Sequence, residues 1–372
     1  MHVEAHSTVA GSRGLIGLRR KSARRMDAGE VMRASMLASG EVFTPLPTIH
    51  EGRIVGYTCG TPDGRAIWMP ARDRQVAPWL AATTSYADIV SAVLKNQRHT
   101  VGFYKDWTTA GVANNWYDLW PVAALPEAGG YSGAANTAVA YTDQTAGKLW
   151  HGGDKTLTKN LLRLSVVNSN NACVYQLYDR VLGYEANAFT AGTSQAMTNA
   201  VSAPRYNGAG LSGMRAFLYC QTLFGATAAN LTTMGYVSDQ GVTHATPTTR
   251  TIAIIVSAAA PTSTLPARIV APADSGGTVT WGKYLPLVAG DLGARSVVSY
   301  VTSAANTGTF GIILARPIAT IITYAGEVAA DIDFAMAKSG IERIYNGACL
   351  SLLVNSQSTT QTITGSMEVY WA

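Results

Sequence analysis

The chain has 372 residues, of which 47% are apolar and only 14% are charged. An average soluble domain has about 25% charged residues, and this apolar, weakly charged composition excludes a disordered chain and a coiled coil. The 36 glycines, with many Ala, Thr and Ser, favour strands and turns. The length suggests two or three domains, because single cores rarely grow beyond about 250–300 residues.

The positive charge is concentrated at the start of the chain. The formal net charge is +5, and residues 1–37 alone contain seven basic and three acidic side chains. We therefore predict a basic N-terminal arm over residues 1–40, with a short helix across 27–37. The candidate attachment residues of this arm are Arg13, Arg19, Arg20, Lys21, Arg24 and Arg25.

The arm has two interpretations. It is either an electrostatic attachment to an acidic protein surface or to DNA phosphates, which salt would weaken, or a solvated tail. Protein contacts are favoured over DNA, because no aromatic side chains are interleaved with the charges. We expect any DNA contact to be made through this arm alone.

Residues 41–125 are punctuated by proline and rich in tryptophan, which predicts a small mixed module or a connector. The strongest helical pattern within it covers residues 86–96. Its tryptophans are expected to be core residues, because aromatic side chains dominate burial. They are Trp68, Trp79, Trp107, Trp116 and Trp120.

The rest of the chain contains an internal repeat. Four sequence blocks recur in the same order, displaced by 132–139 residues. The paired blocks are 163–167 with 295–299, 170–183 with 306–319, 205–209 with 343–348, and 216–237 with 348–369. Such a pattern indicates duplicated domains that differ by loop insertions.

Each repeat has the periodicity of strands. In residues 362–370, Ile363, Gly365, Met367 and Val369 share one face. Short strands bounded by Gly, Asn, Ser and Thr predict a β-sandwich or jelly roll. The predicted class is mainly β, with a first β-sandwich repeat over 126–248, a second over 249–372, and one short helix in each, near 193–201 and 330–338.

The second repeat contains LPLVAGDLGARSVV at 285–298, ILARP at 313–317 and RIYNG at 343–347. These residues resemble modules of virion structural proteins of tailed bacteriophages, and LYDRV at 177–181 resembles the matching strand of such proteins. The resemblance covers about residues 145–372. It implies a particle component located in the virion after synthesis in the host cytoplasm, with capsid decoration, shell, neck and fibre positions all open.

The catalytic-looking motifs lack their context. The G-x-G-x-x-G string at 208–213 is followed by a β-rich segment and has no acid about 20 residues on, so we predict an insertion loop. Asp331 and Asp333 form a D-x-D pair, which is explained as well by the start of a solvated helix as by a metal. The six histidines have no metal-binding spacing, and no serine sits in a G-x-S-x-G elbow.

Cys59, Cys173, Cys220 and Cys349 are isolated in sequence, so buried free thiols are expected. We predict no catalytic residues, no metal and no other cofactor. No stretch is apolar enough to predict a membrane helix, and the apolar segment near the start is too short for a signal peptide.

The low charge leaves large Ala, Thr, Ser and Gly surfaces, which suit permanent protein contacts. We therefore expect a non-enzymatic capsid decoration or shell-associated protein that stabilises the head. Its expected partners are further copies of itself, with a trimer favoured, and the major capsid protein or other virion proteins, with no membrane contact.

Three alternatives stay open. A tail or fibre protein would bind a receptor or carbohydrate through exposed aromatic residues such as Trp150, Tyr184 and Trp281. A double jelly-roll capsid protein is a variant of the main expectation, although repeats of this length are short for it. An enzyme ranks third and would require a cleft of convergent titratable groups.

Overall fold

The computed structural model describes residues 46–50, 53–60, 66–70, 92, 95–131, 133–206, 213–227, 229–245, 252–254, 259–270, 283–334 and 342–372. The chain divides into two units, Met1–Ala81 and Ala82–Ala372. The basic arm, Trp281, residues 208–212 of the glycine-rich string, the 27–37 helix and most of the 86–96 helix lie outside the described residues.

The first unit contains an antiparallel three-stranded sheet. Its strands are β1 (Leu46–His50), β2 (Arg53–Gly60) and β3 (Ala66–Pro70), with β2 in the centre. Cys59 lies in β2. Trp68 lies in β3, where it pairs with Thr58 of β2. This sheet belongs to the segment predicted as a mixed module.

The second unit confirms the mainly β class. Its strands are β4 (Arg98–Trp107), β5 (Asn115–Asp118), β6 (Ala124–Leu125), β7 (Ala138–Ala140), β8 (Lys159–Asn168), β9 (Cys173–Phe189), β10 (Gln195–Ala196), β11 (Arg215–Cys220), β12 (Ala229–Ser238), β13 (Thr243–Ala245), β14 (Ile252–Ile254), β15 (Ala267–Val270), β16 (Ala294–Thr302), β17 (Asn306–Thr323), β18 (Ala330–Asp333), β19 (Arg343–Ile344), β20 (Leu350–Ser356) and β21 (Gln361–Trp371).

Six of these strands close into an antiparallel barrel. The hydrogen-bonded order is β9, β17, β11, β15, β5 and β20, and β20 pairs again with β9. The short strand β7 is added on the outside of this ring, against β9. Closure satisfies the backbone hydrogen bonds of the central strands and removes their free edges.

Two further sheets flank the barrel. Sheet A has the order β10, β16, β12 and β13, with β14 also on β12; sheet B has the order β18, β8, β21, β4 and β6, with β19 on β8. Side chains of sheet A, such as Tyr300, pack with barrel residues such as Leu218 in one core. Side chains of sheet B, such as Met367, pack with Leu352 in a second core.

The repeated sequence blocks correspond to strands in matching positions. The pairs are β8 with β16, β9 with β17, β11 with β20, and β12 with β21. The pairing of β8 with β21 in sheet B matches that of β16 with β12 in sheet A. Likewise, the pairing of β9 with β20 matches that of β17 with β11. The second unit therefore consists of two similarly connected halves joined by the barrel.

The two halves are interlocked rather than arranged in tandem. Strand β9 has 17 residues and runs from Cys173 in the second core to Phe189 in the first. Strand β17 has 18 residues and runs the opposite way, from Phe310 in the first core to Ile321 in the second. The boundary expected at 248/249 therefore does not divide the sheets, because each core contains strands from both sides of it.

Residues 98–125, which were assigned to a separate module, contribute β4, β5 and β6 to the larger unit. Strand β4 pairs along its whole length with β21, and β5 is part of the barrel. Trp107, Trp116 and Trp120 are buried, as expected for core tryptophans. These three tryptophans therefore belong to the second unit, whereas Trp68 lies in the sheet of the first unit.

The prediction of one short helix in each repeat is wrong, because both segments contain short strands. Residues 195–196 form β10 at the edge of sheet A, and 330–333 form β18 at the edge of sheet B. In β18 the exposed Asp331 and Asp333 alternate with the partly buried Ala330 and Ile332, which is the period of a strand. The two segments nevertheless occupy corresponding places, since β10 pairs with β16 and β18 with β8.

Candidate functional site

The barrel interior contains a buried ion pair. Arg180 on β9 donates from Nη1 to Oδ2 of Asp118 at 2.7 Å, and both side chains are completely buried. The Tyr178 hydroxyl donates to Asp118 Oδ1 at 2.7 Å, and the Trp120 backbone N–H donates to the same oxygen at 3.1 Å. These three hydrogen bonds compensate in part for the hydration that the carboxylate loses on burial.

Aromatic rings surround the other side of the guanidinium. The Arg180 Cζ lies 4.5 Å from the ring centre of Tyr141 and 4.9 Å from that of Trp120, with Tyr131 and Tyr219 slightly farther away. Cation–π attraction therefore substitutes for some of the lost hydration. Burial raises the pKa of Tyr141, whose hydroxyl donates to the carboxylate of Glu185. These contacts hold the barrel strands together.

A second buried pair connects the barrel to the surface. Asp179 accepts hydrogen bonds from Nε and Nη2 of Arg205 at 2.9 and 2.7 Å. It also accepts from the Tyr206 hydroxyl at 3.0 Å and from the Cys349 backbone N–H at 2.9 Å. This carboxylate therefore fixes the 205–206 segment against β9 and the start of β20.

Beside this pair lies a surface cleft with a volume of about 430 Å³. Three separate segments line it, 155–159, 204–206 and 343–346. The cationic side chains in its lining are Lys155, Lys159, Arg205 and Arg343. None of the described residues in this lining is acidic, so they give the cleft a positive charge.

The two copies of one repeated sequence motif meet in this cleft. RYNGA begins at Arg205, and RIYNGA begins at Arg343. The rings of Tyr206 and Tyr345 are in edge-to-face contact, with centroids 4.7 Å apart. Arg205 and Tyr206 precede β11, and the second motif begins in β19 and precedes β20, the strand that corresponds to β11.

Lys159 is buried at the base of the cleft, and no carboxylate of the described residues lies within hydrogen-bond range of it. Its Nζ donates to His151 Nδ1 at 2.8 Å and to the Gly153 carbonyl at 2.7 Å. Since an ammonium only donates, Nδ1 accepts, and His151 Nε2 carries the proton donated to the Ala348 carbonyl at 3.1 Å. Burial lowers the pKa of Lys159 to about 8, and burial and Lys159 lower the pKa of His151.

The other two cations rest on aromatic rings. Lys155 Nζ lies 4.5 Å from the ring centre of Trp371, and Arg343 Cζ lies 4.4 Å from that of Tyr345. The Nε of Arg343 is buried and has no hydrogen-bond partner among the described residues. Arg205, by contrast, is neutralised by Asp179.

The three aromatic residues predicted to contact a receptor or carbohydrate differ in their positions. Trp150 is 40% exposed and stacks on His151, which places it beside the cleft. Tyr184 is buried in the first core, where its hydroxyl donates to Asn199 and accepts from the Val297 backbone N–H. It therefore cannot present its ring at a loop tip, which corrects the expectation for this residue. Trp281 lies outside the described residues.

The predicted acidic pair does not form a metal centre in the described structure. Asp331 makes a two-oxygen ion pair with Arg163 across the edge of sheet B, with a shortest distance of 2.6 Å. Over the described ranges, no three His, Cys, Asp or Glu residues are grouped as metal ligands. Cys173, Cys220 and Cys349 are buried thiols that are not joined in disulfides, as expected. None of the helices within those ranges is long and apolar enough to cross a membrane.

Sequence reasoning found the motif but not the site. The repeated RYNGA string was recognised as part of a duplication, and its convergence on one cleft follows only from the fold. Lys155 and Lys159 carried no signal, because isolated lysines in a strand-rich segment look like surface residues. Lys155 is placed by Trp371, which is distant in sequence, and Lys159 is placed by His151, which has no recognisable motif around it.

No protein-family model and no curated protein matches the chain. Two solved structures are similar in part, one of the infectious bursal disease virus Gt strain and one of the VP2 subviral particle of infectious bursal disease virus. Sequence identity is 10% and 9%, and each match covers 74% of this chain and 80% of the other. The TM-score is 0.16 in both cases, so the similarity carries no argument about fold or function.

Proposed function

We propose that this chain is a non-enzymatic structural protein of a bacteriophage particle, a capsid decoration or shell-associated protein that forms homo-oligomers and stabilises the head. The resemblance of residues 145–372 to tailed-phage virion proteins supports the phage assignment. The architecture of the second unit supports a structural role.

The observation that carries the proposal is the joining of two similar β halves through a closed barrel whose interior contains a buried ion pair. The charged groups Arg180, Asp118, Asp179 and Glu185 all have internal partners. Close-packed β layers of this kind deform little under load. A rigid block with few exposed charges is suited to a permanent place in a protein shell.

Exposed apolar side chains supply a candidate contact surface. Ile322, Tyr324 and Val328 are 45%, 84% and 55% exposed, and they lie within seven residues at the end of β17 and in the turn after it. Single exposed apolar residues are ordinary, whereas a local group is typical of an interaction surface. We assign this group, the β17 end patch, to contacts with another copy or with the shell.

The proposal is tested with particles assembled without the protein. We expect such particles to form, to bind host cells normally, and to release DNA at a lower temperature than complete particles. Adding back the purified protein should restore the release temperature. Unchanged heat stability together with lost adsorption to host cells would contradict a decoration role and favour the tail alternative.

A paired variant tests the β17 end patch. Tyr324→Ser should fold normally and fail to restore heat stability, because it removes the most exposed apolar ring of the patch. Leu223→Ser is the matched control, since Leu223 is also exposed but lies elsewhere. Equal restoration by both variants would exclude this patch as the contact surface.

Trp150 favours a second candidate, a receptor- or carbohydrate-binding tail protein. Its ring is partly exposed next to the cationic cleft, an arrangement that can stack on a sugar. Binding to a glycan array that is lost in Trp150→Ala, together with a low copy number per particle, would support this candidate over the head protein.

A further inference from the structure

We propose that the cleft formed by segments 155–159, 204–206 and 343–346 binds a small polar molecule through an oxyanion group, either a carboxylate or a phosphate. This inference goes beyond the structural role, and either can hold without the other.

The first argument is the positive charge of the cleft, which nearby carboxylates do not neutralise by direct ion pairs. Lys155, Lys159 and Arg343 line the cleft without a carboxylate within hydrogen-bond distance among the described residues, whereas Arg205 is paired with Asp179. Three cations converging in a partly enclosed space repel one another. An anionic ligand relieves that repulsion.

The nearest acids do not neutralise these cations. Asp154 accepts the Gly347 backbone N–H at 2.8 Å, which turns one oxygen toward the 347 loop. Glu342 is attracted to Arg316 and is not among the described residues that line the cleft. Asp154, Asp143 and Asp179 all attract Lys159, but its hydrogen bonds go to His151 and the Gly153 carbonyl and not to these carboxylates.

The second argument is the orientation of Arg343. Its guanidinium lies on the Tyr345 ring, and its Nε is buried without a hydrogen-bond partner in the described part of the chain. A buried donor without a partner is costly, and a ligand oxygen would satisfy it. A planar guanidinium held by stacking presents the forked donors that match a carboxylate or phosphate.

The third argument is the size and mixed chemistry of the cleft. About 430 Å³ falls within the usual range for small-molecule sites. Leu157, Pro204, Ile344 and the two tyrosines supply apolar contacts beside the cations. This combination fits an acidic sugar, whose ring would contact the apolar side while its carboxylate contacts Arg343, and it also fits free phosphate.

Isothermal titration calorimetry of the full chain at constant ionic strength tests the proposal. The probes are sodium phosphate, D-glucuronate and, as a neutral control, D-glucose. We expect saturable binding of phosphate or glucuronate and much weaker binding of glucose. Stronger binding of glucuronate than of phosphate would identify an acidic sugar as the source of the oxyanion, and the reverse would identify free phosphate. Saturable binding of neither anion, or equal binding of glucose, would overturn the proposal.

Variants locate the binding in the cleft. Arg343→Gln should weaken binding of the preferred anion by about tenfold or more, because a hydrogen bond to a charged group is lost. Arg343→Lys keeps the charge but not the fork, and should recover only part of the affinity. Arg163→Gln, which removes an arginine on the outer side of sheet B, should bind like the wild type.

A folding control keeps this test decisive. Each variant is compared with the wild type by circular dichroism and thermal unfolding before titration, and Lys155→Gln serves as a second cleft variant if Arg343→Gln unfolds. If a folded cleft variant bound the anion as tightly as the wild type, the anion would not bind in this cleft. Loss of affinity in Arg163→Gln as well would show that the anion binds through general surface charge.

Discussion

The residue that most constrains the second unit is Arg180. It is charged, completely buried and enclosed by Asp118 on one side and by aromatic rings on the other. Replacing such a pair as a whole can be harmless, but removing one partner leaves a buried charge without compensation.

Arg180→Met should therefore destabilise the protein by about 3–5 kcal/mol, because Asp118 loses its cation in the barrel interior. Urea unfolding measures the change. Arg163→Met is the matched control, since the Arg163–Asp331 pair is solvent-exposed and contributes little. A similar midpoint for both variants would show that the barrel ion pair has no special role.

A second prediction for a single residue concerns Lys159 and the dependence of folding stability on pH. Burial lowers the pKa of its ammonium from 10.5 to about 8. Between these values the unfolded chain holds a proton that the folded chain has released, so this group makes stability rise as the pH increases from about 8 toward 10.5.

In Lys159→Met this contribution is absent. The stability of the wild type relative to the variant should therefore increase with pH over that window, as measured by urea unfolding at several pH values. The comparison isolates Lys159, since all other titratable groups are present in both proteins. A difference that falls with pH would mean that the folded state stabilises the ammonium.

At the scale of elements, barrel closure depends on a close approach between β11 and β17. Gly311 lies directly opposite Tyr219, and a Cβ at this glycine would overlap the tyrosine ring. The ring therefore covers the backbone of the neighbouring strand, as aromatic residues do opposite glycines in curved sheets.

Gly311→Ala should cost about 1–3 kcal/mol, because the Tyr219 ring and the strand must move apart to admit the methyl group. Gly130→Ala is the control, since a Cβ at Gly130 would meet nothing within 4 Å. Thermal unfolding of the two variants measures the difference. Equal melting temperatures would mean that the barrel adjusts without strain.

The strands could be predicted from the sequence, but the register between paired strands could not. Sequence periodicity identified the class and the four repeated blocks, which match corresponding strand pairs. The ungapped alignment of 170–183 with 306–319 equates Arg180 with Arg316 and Asp179 with Ala315. The strand pairing agrees with it, because Arg180 pairs with Ala315 and Arg316 pairs with Asp179. However, bulges within β9 and β17 shift the register, and a shift of one residue moves a side chain to the other face.

The candidate site was harder to predict than the strands. The repeated motif supplied Arg205 and Arg343, but the cleft exists only because three segments far apart in sequence come together. Tyr184 was misjudged for a related reason. It pairs with β17 on one side and with the short strand β7 on the other, and its ring is buried in the first core among residues that are distant in sequence.

At the scale of the whole molecule, the second unit combines two similar halves into one block through shared long strands. Because β9 and β17 each contribute to both cores, neither half is complete without the other. This arrangement suits a protein that holds a fixed shape in an assembly. The proposed role therefore requires the protein to be an abundant part of the particle.

The copy number of the protein in purified particles, measured against the major capsid protein by quantitative mass spectrometry, tests this role most directly. The account predicts hundreds of copies, fewer than or comparable with those of a distinct major capsid protein. Hundreds of copies with no other shell protein would make this chain the capsid protein itself. A dozen copies or fewer would place it in the neck, tail or fibres, and complete absence from the particle would contradict a structural role.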